Sequence, residues 1–176
     1  TIAAETLQLM RDIAQSGELA ALTPERVWKE TARALMEDQA DIYFQTLKDC
    51  DALKALFPEI DALFGVPQRP EYHPEVDSGV HTLMALKQAC QANYELDVRF
   101  AVLVHDLGKA LTPADELPRH IMHEERGLAP VTHLCERLKV PTQLKNLALV
   151  VCKEHLKCHQ VQSLKPGTLW RLLQRL

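Results

Sequence analysis

Val98 to Lys109 constrains this chain more than any other stretch. It reads V-R-F-A-V-L-V-H-D-L-G-K, and Val98, Phe100, Ala101, Val102, Leu103, Val104 and Leu107 leave almost no polar face. A segment apolar on every side belongs inside a fold, as a buried helix or a buried strand. Its ionisable groups beyond Arg99 gather near the end: His105, Asp106 and Lys109. A carboxylate among apolar neighbours is costly unless a positive group meets it. His105 beside Asp106 offers an imidazole and a carboxylate, both good ligands for a divalent metal. Helical neighbours lie about 100° apart, so the two can straddle one ion at its edge. The plainer alternative is a half-buried His–Asp pair at a helix C-terminus.

What surrounds that stretch is helical in character. Ala and Leu are plentiful and only 5% of residues are aromatic, which favours helix over sheet. The 176 residues are enough for one or two domains. No run of eighteen apolar residues is present, so no membrane span is expected. The chain opens on Thr1 without a signal-peptide pattern, and no helix stop follows Leu176, so both ends read as cut. Five cysteines, at 50, 90, 135, 152 and 158, form no C-x-x-C pair and fit a reduced cytoplasm. Cys152, His155, Cys158 and His159 invite a zinc reading, but their spacing is not that of a zinc finger.

Charge is unevenly placed. Residues 137–176 carry a net +7 and residues 1–136 a net −11, within a total of −4. A basic segment on an acidic chain suggests an anionic partner such as a phosphate ester or RNA; a solvated helix face is the plainer reading.

Taken in order, Thr1 to Gln15 has helical spacing and Gly17 stops it. Thr23-Pro24-Glu25 is a start signal for a helix to about Glu37, with Val27, Thr31, Ala34 and Leu35 inward. Asp38 or Asp41 is expected to cap a helix from Ile42 to about Cys50, and Asp51 a short one ending near Phe57. Pro58 to Gly65 reads as one more helical turn. No catalytic cluster appears in this part, which looks like a packing or binding module. Three prolines between residues 67 and 74 forbid a regular helix and mark a linker over 67–78. His73 there reads as an exposed loop histidine.

Asp77 or Ser78 then caps a helix from Gly79 to about Asn93, with His81 in its first turn. The break at Tyr94-Glu95 is short, so this helix and the His-Asp segment should pack antiparallel. That brings His81 to His105 and Asp106, a three-ligand site. Beyond a polar loop, His120 and His123 stand three apart, with Glu124 and Glu125 following. A helix over 128–139 carries Pro130 near its start and His133 packed or at the surface. Another runs from Gln143 to about Leu156, with Leu144, Leu147, Ala148 and Val151 inside and His155 near its end. Thr168 begins the last helix. The fold class is therefore all-α, in two helical modules: residues 1–66, and residues 79–176 as a helical bundle.

The order His81, then His105-Asp106-Leu107-Gly108-Lys109, then His123-Glu124 and His155 resembles the HD phosphohydrolase superfamily, over about Gly79 to the end. The resemblance implies an all-helical domain that holds a divalent metal with histidines and aspartates and hydrolyses phosphate esters. The first part, R-D-I-A…G-E-L-A-A-L-T-P-E-R-V-W-K-E, is similar to the neck and body of the bacterial tRNA nucleotidyltransferases, or CCA-adding enzymes. Some of these carry an HD domain after this region, and the two halves together look like the C-terminal part of such a multifunctional member. That likeness implies tRNA binding by residues 1–66. It also implies 2′,3′-cyclic phosphodiesterase, 2′-nucleotidase and phosphatase activities, the last favoured by nickel, in the HD domain.

On this reading His81, His105 and Asp106 bind the ion, with His123 or His155 as further ligands. Nitrogen-rich ligands suit nickel, manganese, cobalt or iron better than calcium, and magnesium is allowed. Lys109 is a candidate to hold a phosphate, or an ordinary cation at a helix C-terminus. Glu124 or a spare histidine is a candidate to protonate the leaving oxygen. Two departures from the family stand out. The nucleotidyltransferase head is missing, so CCA addition is not expected from this chain alone. No Asp follows Asp115, so a second metal-binding aspartate would lie beyond Leu176. The expected partners are tRNA and phosphate-ester substrates, with no membrane; the protein would be cytoplasmic, as monomer or homodimer. Rival readings are a non-catalytic helical clamp on tRNA and a nucleotidase acting on free nucleotides.

Overall fold

Helix α1 (Ala4–Ser16) ends where Gly17 turns into the left-handed region at φ 85°, as its position at the end of the periodic stretch predicts. The structure, a computed structural model, describes residues 2–72 and 74–174. Expectations for Thr1, His73 and the chain beyond residue 174 lie outside the described residues. A 3₁₀ turn, Glu18–Ala21, joins α1 to the next helix. Helix α2 (Pro24–Leu35) starts at Thr23-Pro24, but the Thr23 hydroxyl makes no capping bond; the fixed φ of Pro24 suits the first turn on its own. Val27, Thr31 and Leu35 are buried and Ala34 is half-buried.

Helix α3 (Ala40–Asp49) begins two residues before Ile42, with Gln39 at the capping position, so neither Asp38 nor Asp41 serves as its cap. Helix α4 (Ala52–Leu56) follows Asp51, which adopts φ 62° and also makes no capping bond. Helix α5 (Pro58–Asp61) is one turn long and leads to Gly65 at φ 84°. At the far side of the proline-rich stretch, Asp77 does cap helix α6 (Ser78–Gln91). Its Oδ1 accepts from Val80 N at 2.9 Å and its Oδ2 from Gly65 N at 2.6 Å. One carboxylate thus starts α6 and pins the end of the first module beside it.

The central apolar stretch is a helix, α7 (Leu96–Val104), continued by a 3₁₀ turn, Leu107–Leu111. Helix α8 (His123–Arg126) is a single turn. Helix α9 (Leu128–Arg137) stops two residues short of Lys139, and helix α10 (Thr142–His159) runs three beyond Leu156. A last 3₁₀ turn, Val161–Ser163, precedes helix α11 (Pro166–Leu173). The protein is all-α. Among the described residues β-pairing is limited to an isolated antiparallel bridge between Pro67 and Asp77.

Helix α7 sits in the middle, packed against α6, α10 and α2. Phe100, Ala101, Leu103 and Val104 are buried, and Trp28 of α2 meets Phe100 edge-on with ring centres 5.3 Å apart. Each such large side chain contributes about 1.5–3 kcal/mol on leaving water. The hydrophobic core is continuous from Leu35, Phe44 and Leu53 to Leu86, Leu134 and Ala148, on both sides of the proline-rich stretch.

Arg99 is the largest side chain among the fully buried residues and carries its charge into that core. It is 1% exposed, and its guanidinium donates to Leu35 O and Glu37 O, both at 2.9 Å, and to Tyr94 O at 2.6 Å. The last carbonyls of a helix have no partner within it, and its C-terminus is the negative end of the helix dipole. Arg99 thereby closes α2 and ties it to α7. Arg99→Met keeps an apolar stem and leaves those carbonyls without a donor. Its urea midpoint should fall by an amount equivalent to about 2 kcal/mol.

Candidate metal centre

Antiparallel packing of α6 and α7 puts the first turn of one beside the last turn of the other. His81 and His105 thereby stand with ring centres 6.2 Å apart, at Asp106. Two further elements reach the same point. The short α8 brings His123, and the C-terminal turn of α10 brings His155. His155 has its ring centre 5.1 Å from that of His105 and 5.2 Å from that of His123.

Asp106 is the hub. It is 2% exposed and the four imidazoles surround it. On its Oδ2 side stand His105 Nε2 at 3.2 Å and His81 Nε2 at 3.8 Å. On its Oδ1 side stand His123 Nε2 at 3.3 Å and His155 Nε2 at 3.6 Å. Two three-residue groups, His81–His105–Asp106 and Asp106–His123–His155, thus share one carboxylate, with ligand atoms all within 4.8 Å in each.

The other ring nitrogens fix the tautomers. Nδ1 of His105 lies 2.6 Å from Val102 O, that of His123 2.7 Å from His120 O, and that of His155 2.9 Å from Cys152 O. Carbonyls only accept, so each of these Nδ1 atoms carries the proton. His81 Nδ1 meets the Glu75 carboxylate at 2.6 Å, with the same consequence. In the neutral rings every Nε2 therefore presents a lone pair. These lone pairs face a carboxylate and one another; His123 Nε2 and His155 Nε2 are 3.2 Å apart. Electron pairs so opposed repel unless a cation lies among them. Asp106 Oδ1, buried, finds no hydrogen-bond donor among the described residues.

The residues fit a divalent ion on these grounds. Ligand atoms about 2.0–2.2 Å from one ion lie roughly 3–3.5 Å from one another, close to the spacings above. An Nδ1–H tied to a carbonyl or carboxylate is the usual support behind a metal-binding histidine.

Electrostatics favour a bare Nε2 at His155, while Asp106 draws a proton toward His105. Burial pushes the His155 imidazole down to about 4, and His105 adds to this, so His155 is neutral near pH 7 with its Nε2 bare. Burial acts against ionised Asp106, but His105, His123 and Lys109 outweigh it and hold the carboxyl well below its ordinary range. For His105, burial is likewise outweighed by Asp106, and its value is raised.

Other expected site residues fall in different places. Lys109 is buried and its Nζ is 2.7 Å from Asp106 Oδ2, so its charge neutralises the hub. Glu124 stands apart from the cavity wall, with Oε2 3.7 Å from His123 Nδ1, behind the ring. His120 does not join the cluster. Its Nδ1 faces Thr112 Oγ1 at 2.7 Å and its Nε2 faces Pro67 O at 3.0 Å. His133 is at the surface, with Nδ1 2.9 Å from Glu59 Oε1.

The zinc alternative also dissolves, because Cys152 points into the core and donates to Glu124 O at 3.6 Å, while Cys158 is exposed. Burial pushes the Cys152 thiol up to about 12, so it stays protonated. Sequence reasoning missed Glu75 and Gln68, both from the proline-rich stretch. The only signal was their place just before the His81 helix.

The cluster forms one wall of an open cavity of about 720 Å³. Arg69, Tyr72, Arg119 and His159 stand around it. A buried anionic hub ringed by four imidazoles, under a cavity with cationic walls, can hold a metal ion and an anionic ligand together.

Residues 1–64 match the family described as "Probable RNA and SrmB- binding site of polymerase A". Over 175 residues, 99% of this chain, the sequence is 83% identical to a protein named "Multifunctional CCA protein" from Acinetobacter baumannii (strain AYE), covering 42% of that relative. It is 78% identical to the protein of that name from Acinetobacter baylyi, with the same coverage, and 57% identical to the one from Hahella chejuensis over 174 residues, 41% of its length. The chain thus spans about two fifths of the length of the curated relatives it matches. Across almost every residue, the chain is 83% identical to the C-terminal part of a protein named multifunctional CCA protein.

Proposed function

We propose that the chain is a metal-dependent phosphohydrolase of the HD type joined to an RNA-binding module. The observation that carries this reading is the set of four imidazoles. Each has Nδ1 tied down and Nε2 turned toward one buried carboxylate. His81, His105, Asp106, His123 and His155 would hold the ion. A divalent cation there supplies a Lewis acid for the phosphoryl oxygen and lowers the pKa of attacking water. Nitrogen-rich ligands favour nickel, manganese, cobalt or iron, with magnesium allowed.

The remaining residues act around that centre. Glu75 fixes the His81 ring, and Lys109 offsets the charge of Asp106 in the low-dielectric wall. Glu124 lies behind His123 and supports that ring, which leaves delivery of a proton to the leaving oxygen to a group on the cavity side. His159 is such a group: it stands on the wall, its ring centre 6.3 Å from that of His155. Substrates of the class 2′,3′-cyclic phosphate, 2′-phosphate or small phosphomonoester would suit a cavity of this size and charge.

The first 64 residues would grip tRNA through phosphate contacts, which are salt-dependent and largely blind to sequence. The 2′-phosphorylated or cyclic end of a tRNA would then be the natural substrate. The five unpaired thiols fit a reducing, cytoplasmic setting.

The deciding experiment measures metal content and phosphate release from a 2′-nucleotide with added nickel or manganese, wild type against His105→Ala. Wild type should carry metal and turn over, and the variant should lose activity by at least about 100-fold. Binding of tRNA should persist in the variant. No phosphate release by metal-loaded wild type, with tRNA still bound, would leave a non-catalytic clamp.

A further inference from the structure

The proline-rich stretch contributes one buried side chain to the wall of the cavity, Gln68, which is 1% exposed. Its Oε1 accepts from Lys109 Nζ at 2.5 Å. An ammonium group only donates, so the amide cannot be flipped, and Nε2 must be turned away from Lys109. That Nε2 is buried and has no acceptor among the described residues. A buried donor left without a partner costs about 1–3 kcal/mol. The contact with Lys109 uses only the amide oxygen and leaves the Nε2 donor without a role in the packing.

The backbone that carries Gln68 is held from several sides. Gln68 N donates to Val76 O at 2.5 Å, and Ser78 N donates to Val66 O at 3.0 Å. On its other flank, Pro67 O accepts from His120 Nε2 at 3.0 Å. The amide is therefore a fixed donor, one residue removed from the metal cluster: Gln68 to Lys109 to Asp106. Its complement is an acceptor, and the ligand chemistry of the cavity is anionic. Donors fixed in advance beside a developing oxyanion are worth most in dry surroundings.

We propose that Gln68 is a substrate-positioning residue whose Nε2–H donates to a non-bridging oxygen of the phosphoryl group bound at the Asp106 centre. This rests on the phosphohydrolase reading of that centre. Lys109 sets the orientation of the amide, so the charge of Lys109 reaches the phosphate through a neutral donor. The proline-rich stretch is then part of the phosphate site as well as a connection between the two modules.

The test is calorimetric and uses the 176-residue chain. Manganese is titrated first, then inorganic phosphate into the manganese-loaded protein, for wild type, Gln68→Met and Gln68→Glu. Met removes the donor; Glu keeps the length and the contact with Lys109 while replacing the donor with an acceptor. Both variants should bind manganese no more weakly than wild type by more than about 3-fold. Both should bind phosphate at least about 10-fold more weakly, the size expected for one hydrogen bond to a charged group.

Thermal unfolding of each variant tells loss of fold from loss of contact, and Glu is the variant that keeps the Lys109 pairing should Met unfold. Phosphate bound equally by wild type and a folded variant overturns this inference alone. Manganese bound but phosphate ignored by wild type overturns the hydrolase reading and the inference with it.

Discussion

Asp106→Asn should abolish tight metal binding, lowering affinity by about 1,000-fold or more in a calorimetric titration with manganese or nickel. Both groups of ligands meet at this one carboxylate, so the change removes the shared anion and leaves only neutral imidazoles. The same substitution should also destabilise the protein before any metal is added. Lys109, 5% exposed and 2.7 Å from Asp106, would keep its charge and lose its counter-ion. Stranding one member of a buried pair costs about 3–5 kcal/mol. In a chain of this size a loss of about 3 kcal/mol lowers the Tm by roughly 6–12 °C.

The two effects separate in the double variant Asp106→Asn with Lys109→Met. Removing both charges should recover most of the lost stability, since a buried pair replaced as a unit is often neutral. Metal binding should not recover. A double variant as unstable as Asp106→Asn would show that Lys109 is not the group left stranded.

How much of this was readable from sequence depends on how far each contact reaches. His81 could be placed beside His105 and Asp106 because two apolar helices joined by a short break must run antiparallel. Helix α7 could be seen as buried because it has no polar face. The partners of Arg99 could not be seen: Leu35 and Glu37 lie 64 and 62 residues away and offer backbone carbonyls, which every residue has. Gln68 and Glu75 were hidden for another reason. They sit in a stretch without periodicity, where nothing says which way a side chain faces. Lys109 had two plausible uses in sequence, phosphate or helix end, and the fold gives it a third, Asp106. The caps expected from Thr23, Asp38, Asp41 and Asp51 failed alike, since a polar side chain near a helix start makes no bond unless its rotamer and backbone permit one. Asp77 has that geometry, and it is the one that also holds Gly65.

Gly108→Ala should disrupt both fold and site, for a reason that is steric rather than conformational. A Cβ at Gly108 would lie 1.9 Å from His123 O, 2.6 Å from Gly127 N and 2.9 Å from the His123 carbonyl carbon. All three are backbone atoms, and no rotamer change can clear them. The 3₁₀ turn that follows Asp106 packs directly on α8, so the methyl group must push α8 away by about an ångström or more. Overpacking of this kind costs about 3 kcal/mol or more. The displaced helix carries His123, so the Oδ1 side of Asp106 loses one of its two imidazoles and keeps His155, while His81 and His105 stay in place. Metal affinity should then fall by about 10–100-fold, less than in Asp106→Asn. Gly127→Ala is the control. There the first contact is the Cys152 Sγ at 2.6 Å, the end of a side chain, and the backbone atoms stand back at 3.2 Å. It should cost distinctly less stability than Gly108→Ala. Equal Tm values for the two variants would mean that the Gly108 turn can move without carrying His123 away, and that the close approach of these backbones is not what holds the site together.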